Sequence, residues 1–373
     1  MKLRLRPTAQ QKKKLDQWAG CSRFLYNKTI ALLTNKKNTV KSENQLRYRL
    51  TTVKSQKTKK RNSFFNNRPW LEECPTSIRK GSVYEAKANL QACFTNLKAG
   101  NIKKFSNPFR TKKNERLRGY SYPVEKNNIK KEGDKLFVFQ DILGEMRYYG
   151  TKQLHKLIQD DRPFLDCRIQ KSAYKEYFLV IPYVIKAKEP KQVFSNPVSI
   201  DPGIRKFVTT YAPVNEESYM IGNRWTSTIM QLLLKLDKEK NPKKQRRLRK
   251  RVFYLKKEMQ DKTANFLAKR YDLILMAKLE TGKLSRKQTR RLRTKTVREM
   301  LNAGHSRFFE RLKDKCWEHG SKFMQVREEY TSQTCPCCGR LNKCNEVYNC
   351  KSCGFKHDRD MVGALNILLK AVR

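Results

Sequence analysis

Negative charge is the first thing in short supply: 34 Asp and Glu stand against 84 Lys and Arg, a formal charge of +50 over 373 residues. Self-repulsion on that scale needs a polyanion to offset it, and nucleic acid is the obvious candidate. Long apolar runs are lacking as well. The longest, residues 177–185, is too short to span a bilayer, and the opening MKLRLRPTAQQKKK has no apolar core of a signal peptide, so neither secretion nor membrane insertion is expected. A disulfide framework is also missing. Of 11 cysteines, four have zinc spacing, while Cys21, Cys74, Cys93, Cys167 and Cys316 stand isolated in apolar contexts, as structural thiols in a reducing compartment do. Disorder is not implied, because 38% hydrophobic and 10% aromatic residues suffice for packed cores in two or three units.

What is present is organised around residues 331–369. Cys335 and Cys338 form one C-x2-C pair and Cys350 and Cys353 a second, each followed by glycine. Four thiolates from two such turns can close a tetrahedron around one Zn²⁺. Cys337 and Cys344 lie between them and are read as non-ligands, although Cys337 can compete with Cys338. The short spacing predicts a two-stranded ribbon inserted in a larger domain. Asp360 then opens an apolar helix with Met361, Ala364, Leu365, Ile367, Leu368 and Leu369. A carboxylate delivered at a helix start suits a nuclease site, and equally suits an ordinary helix N-terminus.

From the beginning of the chain, Lys2–Arg6 alternates as a strand stopped by Pro7, and Thr8 can cap a helix burying Leu15, Trp18, Cys21, Phe24, Leu25 and Leu32. Residues 34–68 are polar and lysine-rich and predict a helix pair with a loose loop, exposed or resting on nucleic acid. A helix from Thr76, after Pro75, carries Ile78, Val83, Ala86, Leu90, Phe94 and Leu97 and should pack on the first. Beyond residue 101 the period changes. Phe105, Phe109, Tyr120, Tyr122, residues 136–139, 147–149, 167–169 and 177–185 predict strands that, with residues 2–6, could close a small barrel around which residues 8–100 are an insertion.

A new domain is expected at about Val198. Val198 and Ile200 lead to Asp201, Pro202 and Gly203 make a turn, Phe207, Thr209 and Tyr211 return, and residues 219–221 add a third strand. Such a meander with Asp at the end of its first strand is how RNase H-like sheets begin, though Asp-Pro-Gly is also an ordinary turn. A long basic helix follows, with a Leu248, Val252, Leu255, Met259 stripe surrounded by Lys243, Lys244, Arg246, Arg247, Arg249, Lys250 and Arg251. Like charges this dense repel unless phosphates separate them. Leu273–Met276 reads as a buried strand leading to Glu280. Residues 283–298, with Arg290, Arg291 and Arg293, lack a core face and predict a basic loop near the active site. Leu301, Phe308, Leu312 and Cys316 predict one helix ended by Gly320, with His305 as a core or supporting histidine, before a last strand at Phe323, Gln325 and Arg327.

Asp201, Glu280 and Asp360, with MKLRLRPTAQQ at the start, RFLYN at 23–27, PWLEECP at 69–75 and TSQTCPCCG at 331–339, resemble the TnpB/Fanzor family of transposon-encoded, RNA-guided DNA endonucleases. The resemblance implies an α/β plus β-barrel architecture: a wedge-type β-barrel (1–7 and 101–196), a helical recognition insertion (8–100), a RuvC nuclease domain of RNase H-like fold (197–330 and 357–373) and a zinc ribbon (331–356). It also implies a guide RNA encoded by the element, a double-stranded DNA target beside a short motif, and cleavage with two Mg²⁺ held by Asp201, Glu280 and Asp360, besides the structural Zn²⁺. Two departures stand out. The family's glutamate directly follows the apolar run, where this chain has Ala277 and places Glu280 three residues later, as in the Fanzor branch, which implies nuclear residence; otherwise the bacterial cytoplasm is expected. The family's Asp-x-Asn-Ala-Ala reads Asp360-Met361-Val362-Gly363-Ala364. Asp358 is the nearest competitor of Asp360. Two other readings share these features: a transposase acting directly on DNA ends, and a nuclease-inactive nucleic-acid-binding protein. The sequence says nothing about oligomeric state.

Overall fold

The computed structural model describes residues 1–35, 43–54, 60–105, 109–150, 165–184, 188–189, 193–278, 281–286, 293–327, 329–343 and 346–372. The chain divides into two units, Met1–Val184 and Ile185–Arg373.

In the first unit Leu3 and Leu5 are buried between exposed basic neighbours, which makes Lys2–Leu5 a strand, β1. Thr8 and Gln11 then cap each other's backbone N–H groups and start α1 (Ala9–Thr34). The expected helix pair in 34–68 is, among the described residues, one helix, α2 (Glu43–Thr51), followed by two 3₁₀ turns. Leu46, Leu50 and Phe65 are buried and anchor this polar segment, while Tyr48 stays exposed. α3 (Thr76–Lys98) packs on α1 through Tyr26, Ile30, Ala86 and Leu90 and through a 2.8 Å bond from the Ser82 hydroxyl to Ser22. Phe105 and Phe109 lie outside strands; Asn27 binds the backbone of Arg110 on both sides at 2.8 Å, and Thr111 caps α4 (Lys112–Arg118).

The remaining elements are β2 (Gly119–Val124), β3 (Ile129–Glu132), β4 (Lys135–Val138), α5 (Gln140–Leu143), β5 (Tyr148–Tyr149), β6 (Cys167–Ser172) and β7 (Tyr177–Val180). Four of these strands and β1 form one antiparallel sheet in the order β2-β6-β7-β1-β5, and β3 and β4 pair as a separate hairpin. The edge strands β2 and β5 do not pair with each other among the described residues. Sheet and helices share one core containing Leu3, Leu5, Trp18, Ile78, Val124 and Leu179, because neither the short strands nor α1 could cover an apolar face alone.

The second unit begins with β8 (Pro197–Pro202), β9 (Val208–Ala212) and β10 (Glu217–Ile221), an antiparallel meander. α6 (Asn223–Lys238) was not foreseen, although Ile229, Leu232, Leu233 and Leu236 have helical spacing; it covers the Leu248, Val252, Leu255 stripe of α7 (Pro242–Arg270). β11 (Leu273–Ala277) runs parallel to β8, and β12 (Lys322–Val326) runs parallel to β11, giving the sheet order β10-β9-β8-β11-β12. Ile274 and Met276 face a core shared with Met259, Leu267, Phe308 and Leu312, whereas Leu275 and Ala277 meet Ile367 and Leu368 on the other side. Burial on both faces is why this strand reads as an unbroken apolar run.

Between β11 and β12 lie α8 (Thr281–Leu284), α9 (Thr294–Ala303) and α10 (His305–His319). The loop expected at 283–298 is therefore helical from Thr294, because Val297 and Met300 supply a buried face just beyond the basic run. Leu301 belongs to α9 and is exposed; Gly304, at φ +68°, ends that helix and starts the next. The ribbon strands β13 (Val347–Asn349) and β14 (Lys356–Asp358) pair antiparallel and lead into α11 (Arg359–Val372).

Candidate active site and metal centre

The four sulfurs of Cys335, Cys338, Cys350 and Cys353 lie within 4.8 Å of one another. Cys335 is 3.6 Å from Cys353 and Cys338 is 3.5 Å from Cys350, near the roughly 3.8 Å that a tetrahedron with 2.3 Å Zn–S bonds requires. The two turns are built alike. Gly339 N–H donates to Cys335 O and Gly354 N–H to Cys350 O, and both glycines have positive φ, +73° and +76°. Desolvation raises the Cys350 pKa, but the N–H groups of Cys353 and Ser352 and the neighbouring thiols outweigh it and bring it to about 6, which favours the thiolate a metal needs. Asn342 adds an N–H to Cys350 Sγ at 3.4 Å. Cys337 is exposed and outside the cluster; Cys344 lies outside the described residues. A soft four-sulfur set of this shape fits zinc.

The ribbon grips α11. Val362 packs into the ribbon core with Cys335, Tyr348 and Cys350, and buried Asn366 donates to Thr331 O and Thr334 O, both at 2.7 Å. Position 362, where an asparagine was expected, is thus filled by a side chain the ribbon buries. The opposite side of the helix rests on β8: Ser199 Oγ donates to Ala364 O at 2.6 Å, and Gly363 faces Asp201. A Cβ added at Gly363 would stand 2.5 Å from Asp201 Oδ2, so glycine is what lets the helix lie against that carboxylate.

Asp201 ends the central strand β8, and Asp360 lies in the first turn of α11. Lys206, on the turn that Asp201 opens, reaches across to the helix start, with Nζ 2.9 Å from Asp358 Oδ2 and 3.3 Å from Asp360 Oδ2. Partial burial opposes both charges of the Lys206–Asp358 pair, but their hydrogen bond outweighs it, raising the lysine pKa and lowering that of Asp358. Asp358 Oδ1 accepts from the N–H of Asp360 at 2.9 Å and of Met361 at 3.3 Å. Asp358 is therefore a helix cap held on both oxygens, whereas Asp360, in the first turn, pairs with Lys206. Asp201 lies against α11 at Gly363, three residues after Asp360, and aspartate carboxylates are hard oxygen donors of the kind that suit Mg²⁺. Glu280 lies outside the described residues. Register puts Ala277, one residue past the Met276–Ile200 pair, level with Asp201. Asp272, at the opposite end of β11, is occupied by Ser195 and Asn196 backbone N–H groups, each at 2.9 Å.

His305, expected as a core or supporting histidine, supports the same turn. It is 2% exposed, stacks on Phe207 at 5.0 Å and bonds Gly203 O through Nε2 at 2.7 Å. Burial, only partly offset by that carbonyl, pushes its pKa down to about 4, so the ring is neutral and Nε2–H is the donor. Among the basic candidates Lys243, Lys244, Arg246, Arg247, Arg249 and Arg251 are exposed along α7, Lys250 is half-buried, and Arg293 is exposed just before α9; Arg290 and Arg291 lie outside the described residues.

Two family models match this chain: Cas12f1-like, TNB domain, over residues 305–367, and a helix-turn-helix domain over residues 1–39. A putative transposase of Paramecium bursaria Chlorella virus 1 is 30% identical over 99% of this chain and 86% of its own length. A TnpB-like protein of Acanthamoeba polyphaga mimivirus is 27% identical over 98% and 72%. A putative RNA-guided DNA endonuclease of Escherichia coli strain K12 is 23% identical over 98% and 90%. The protein in a cryo-EM structure of a Cas12f1–sgRNA–target DNA complex aligns with 96% of this chain and 82% of its own, at a TM-score of 0.53 and 12% identity, a likeness of fold.

Proposed function

Since this chain belongs to the TnpB-like transposase and RNA-guided endonuclease family, we propose that it is an RNA-guided DNA endonuclease that cleaves double-stranded target DNA beside a short flanking motif. The observation that carries the reading is the packing of α11 on the Asp201 strand end, where Gly363, three residues after Asp360, leaves room for the Asp201 carboxylate. Residues 197–330 and 357–373 act as a RuvC domain of RNase H-like fold, a reading supported by the central β8 with its parallel β11 and β12. Residues 331–356 are its zinc ribbon, 1–7 and 101–196 a wedge domain, and 8–100 a helical recognition insertion. Asp201, Glu280 and Asp360 would hold two Mg²⁺, which would activate water and stabilise the leaving oxygen of the phosphodiester. Asp201 would offer its carboxylate to the site from the rigid strand end. His305 fixes the turn behind it through Gly203. The exposed basic face of α7 and Arg293 take phosphates of the guide or its target, so that base pairing supplies most of the specificity. In a eukaryotic or viral setting the site of action is nuclear.

The test is RNA dependence. The purified protein should carry RNA, and ribonuclease treatment before DNA is added should abolish cleavage at a defined site; undiminished cleavage would favour a transposase acting directly on DNA ends. Affinity for nucleic acid should also fall steeply with salt.

Geometry at Gly363 gives a second expectation. In Gly363→Ala the new methyl must displace the Asp201 carboxylate or the helix, and a misplacement of about 1 Å costs on the order of 10²-fold in rate. Single-turnover cleavage should fall by about that factor while zinc content stays unchanged. A wild-type rate would show that Asp201 does not need its present position.

A further inference from the structure

Lys206 is a cation inside a cluster read as a cation-binding site. Its Nζ spans Asp358 and Asp360, at 2.9 and 3.3 Å, and its side chain is only 20% exposed. Its backbone is part of the Asp201 turn: Gly203 N–H closes the turn on Phe207 O at 3.2 Å, and Lys206 O lies so close that a Cβ on Gly203 would meet it at 2.5 Å. One residue therefore joins the loop of the first carboxylate to the helix of the last. Asp358 can keep the ammonium, because its other oxygen is already committed to the helix N–H groups.

We propose that Lys206 is a built-in counter-ion of the active site, which holds Asp360 through the Asp358–Lys206 pair and competes with divalent metal for the Asp360 carboxylate. This inference rests on the nuclease reading. A divalent ion bound to Asp360 at roughly 2.1 Å would lie within about 5 Å of Nζ if the lysine stayed in place. Repulsion between a double and a single charge at that distance, screened as water screens it, weakens binding roughly tenfold. Metal loading then requires Nζ to leave Asp360 and swing fully onto Asp358, so the site stays low in affinity until a phosphate adds negative charge. The arrangement makes substrate, rather than free metal, the trigger for a complete centre.

Mn²⁺ titration followed by electron paramagnetic resonance, on the full zinc-loaded chain freed of nucleic acid, reads this directly. Lys206→Met keeps the aliphatic stem and should bind Mn²⁺ roughly tenfold more tightly than wild type, Lys206→Arg should stay close to wild type, and Asp360→Asn should bind more weakly. Lys206→Gln serves as a second neutral variant if the methionine disturbs folding, judged by zinc content and thermal denaturation. Neutral variants with unchanged or weaker Mn²⁺ affinity, beside a weakened Asp360→Asn, would overturn the counter-ion role alone. An Asp360→Asn variant that binds Mn²⁺ as wild type does would remove Asp360 from the metal site, and the nuclease assignment of these residues would fall with it.

Discussion

Asp201→Asn should reduce Mg²⁺-dependent DNA cleavage by on the order of 10³-fold or more, equivalent to about 4 kcal/mol of barrier, while nucleic-acid binding stays within about twofold of wild type. The asparagine keeps the volume and the strand position. Asp201 pairs with Thr209 in the middle of the sheet, so its backbone does not depend on the carboxylate. What changes is one oxygen, replaced by an NH₂ that cannot ligate a metal. On the proposed function the exposed basic face of α7, not Asp201, takes the phosphates, so binding and cleavage should separate. Glu280→Gln should behave in the same way, because Glu280 is the one acid between Asp272 and Glu299, and Asp272 is held by Ser195 and Asn196 at the far end of the strand. Single-turnover cleavage and filter binding on the same preparations measure the two effects. Wild-type cleavage by Asp201→Asn would sink the assignment; wild-type cleavage by Glu280→Gln alone would place the third carboxylate elsewhere.

Cys350→Ala should release zinc and take cleavage with it. Each ribbon strand is three residues long, and the ribbon core is limited to Cys335, Tyr348, Cys350 and Val362 with Phe355 beside them. A core that small cannot offset the entropy of ordering the ribbon, whereas structural zinc supplies on the order of 10 kcal/mol in isolated zinc modules. Once the ribbon loosens, α11 loses the clamps at Val362 and Asn366, and Asp360 loses its fixed place. Zinc stoichiometry should drop from one to none, and hydrogen exchange should rise first in residues 331–358. Cys337→Ala is the control: that thiol is exposed and outside the cluster, so zinc and activity should persist. Full zinc in Cys350→Ala would overturn the ligand set.

Which parts of this chain were open to reading in one dimension follows from how local their causes are. The two C-x2-C-Gly turns, the Thr8 cap, the β8–turn–β9 meander and the doubly buried β11 each depend on residues within a few positions of one another, and spacing or period reveals them. α6 had such a signal in Ile229, Leu232, Leu233 and Leu236 and went unread beside its charged neighbours. The helical start of α9 was hidden because the basic run masked Val297 and Met300. Other features depended on contacts made only when distant segments meet. Asp358 and Asp360 are two residues apart and chemically alike; the N–H groups at the start of α11 make the first a cap, and Lys206, more than 150 positions upstream, pairs with both. Gly363 looked like a lapse from the family pattern until Asp201 was found against it. His305 looked like any core histidine, and only the folded chain puts Gly203 O beside Nε2. Thiolate spacing is written along the backbone, but a carboxylate's role depends on what the fold places across from it, and no period in the sequence encodes that.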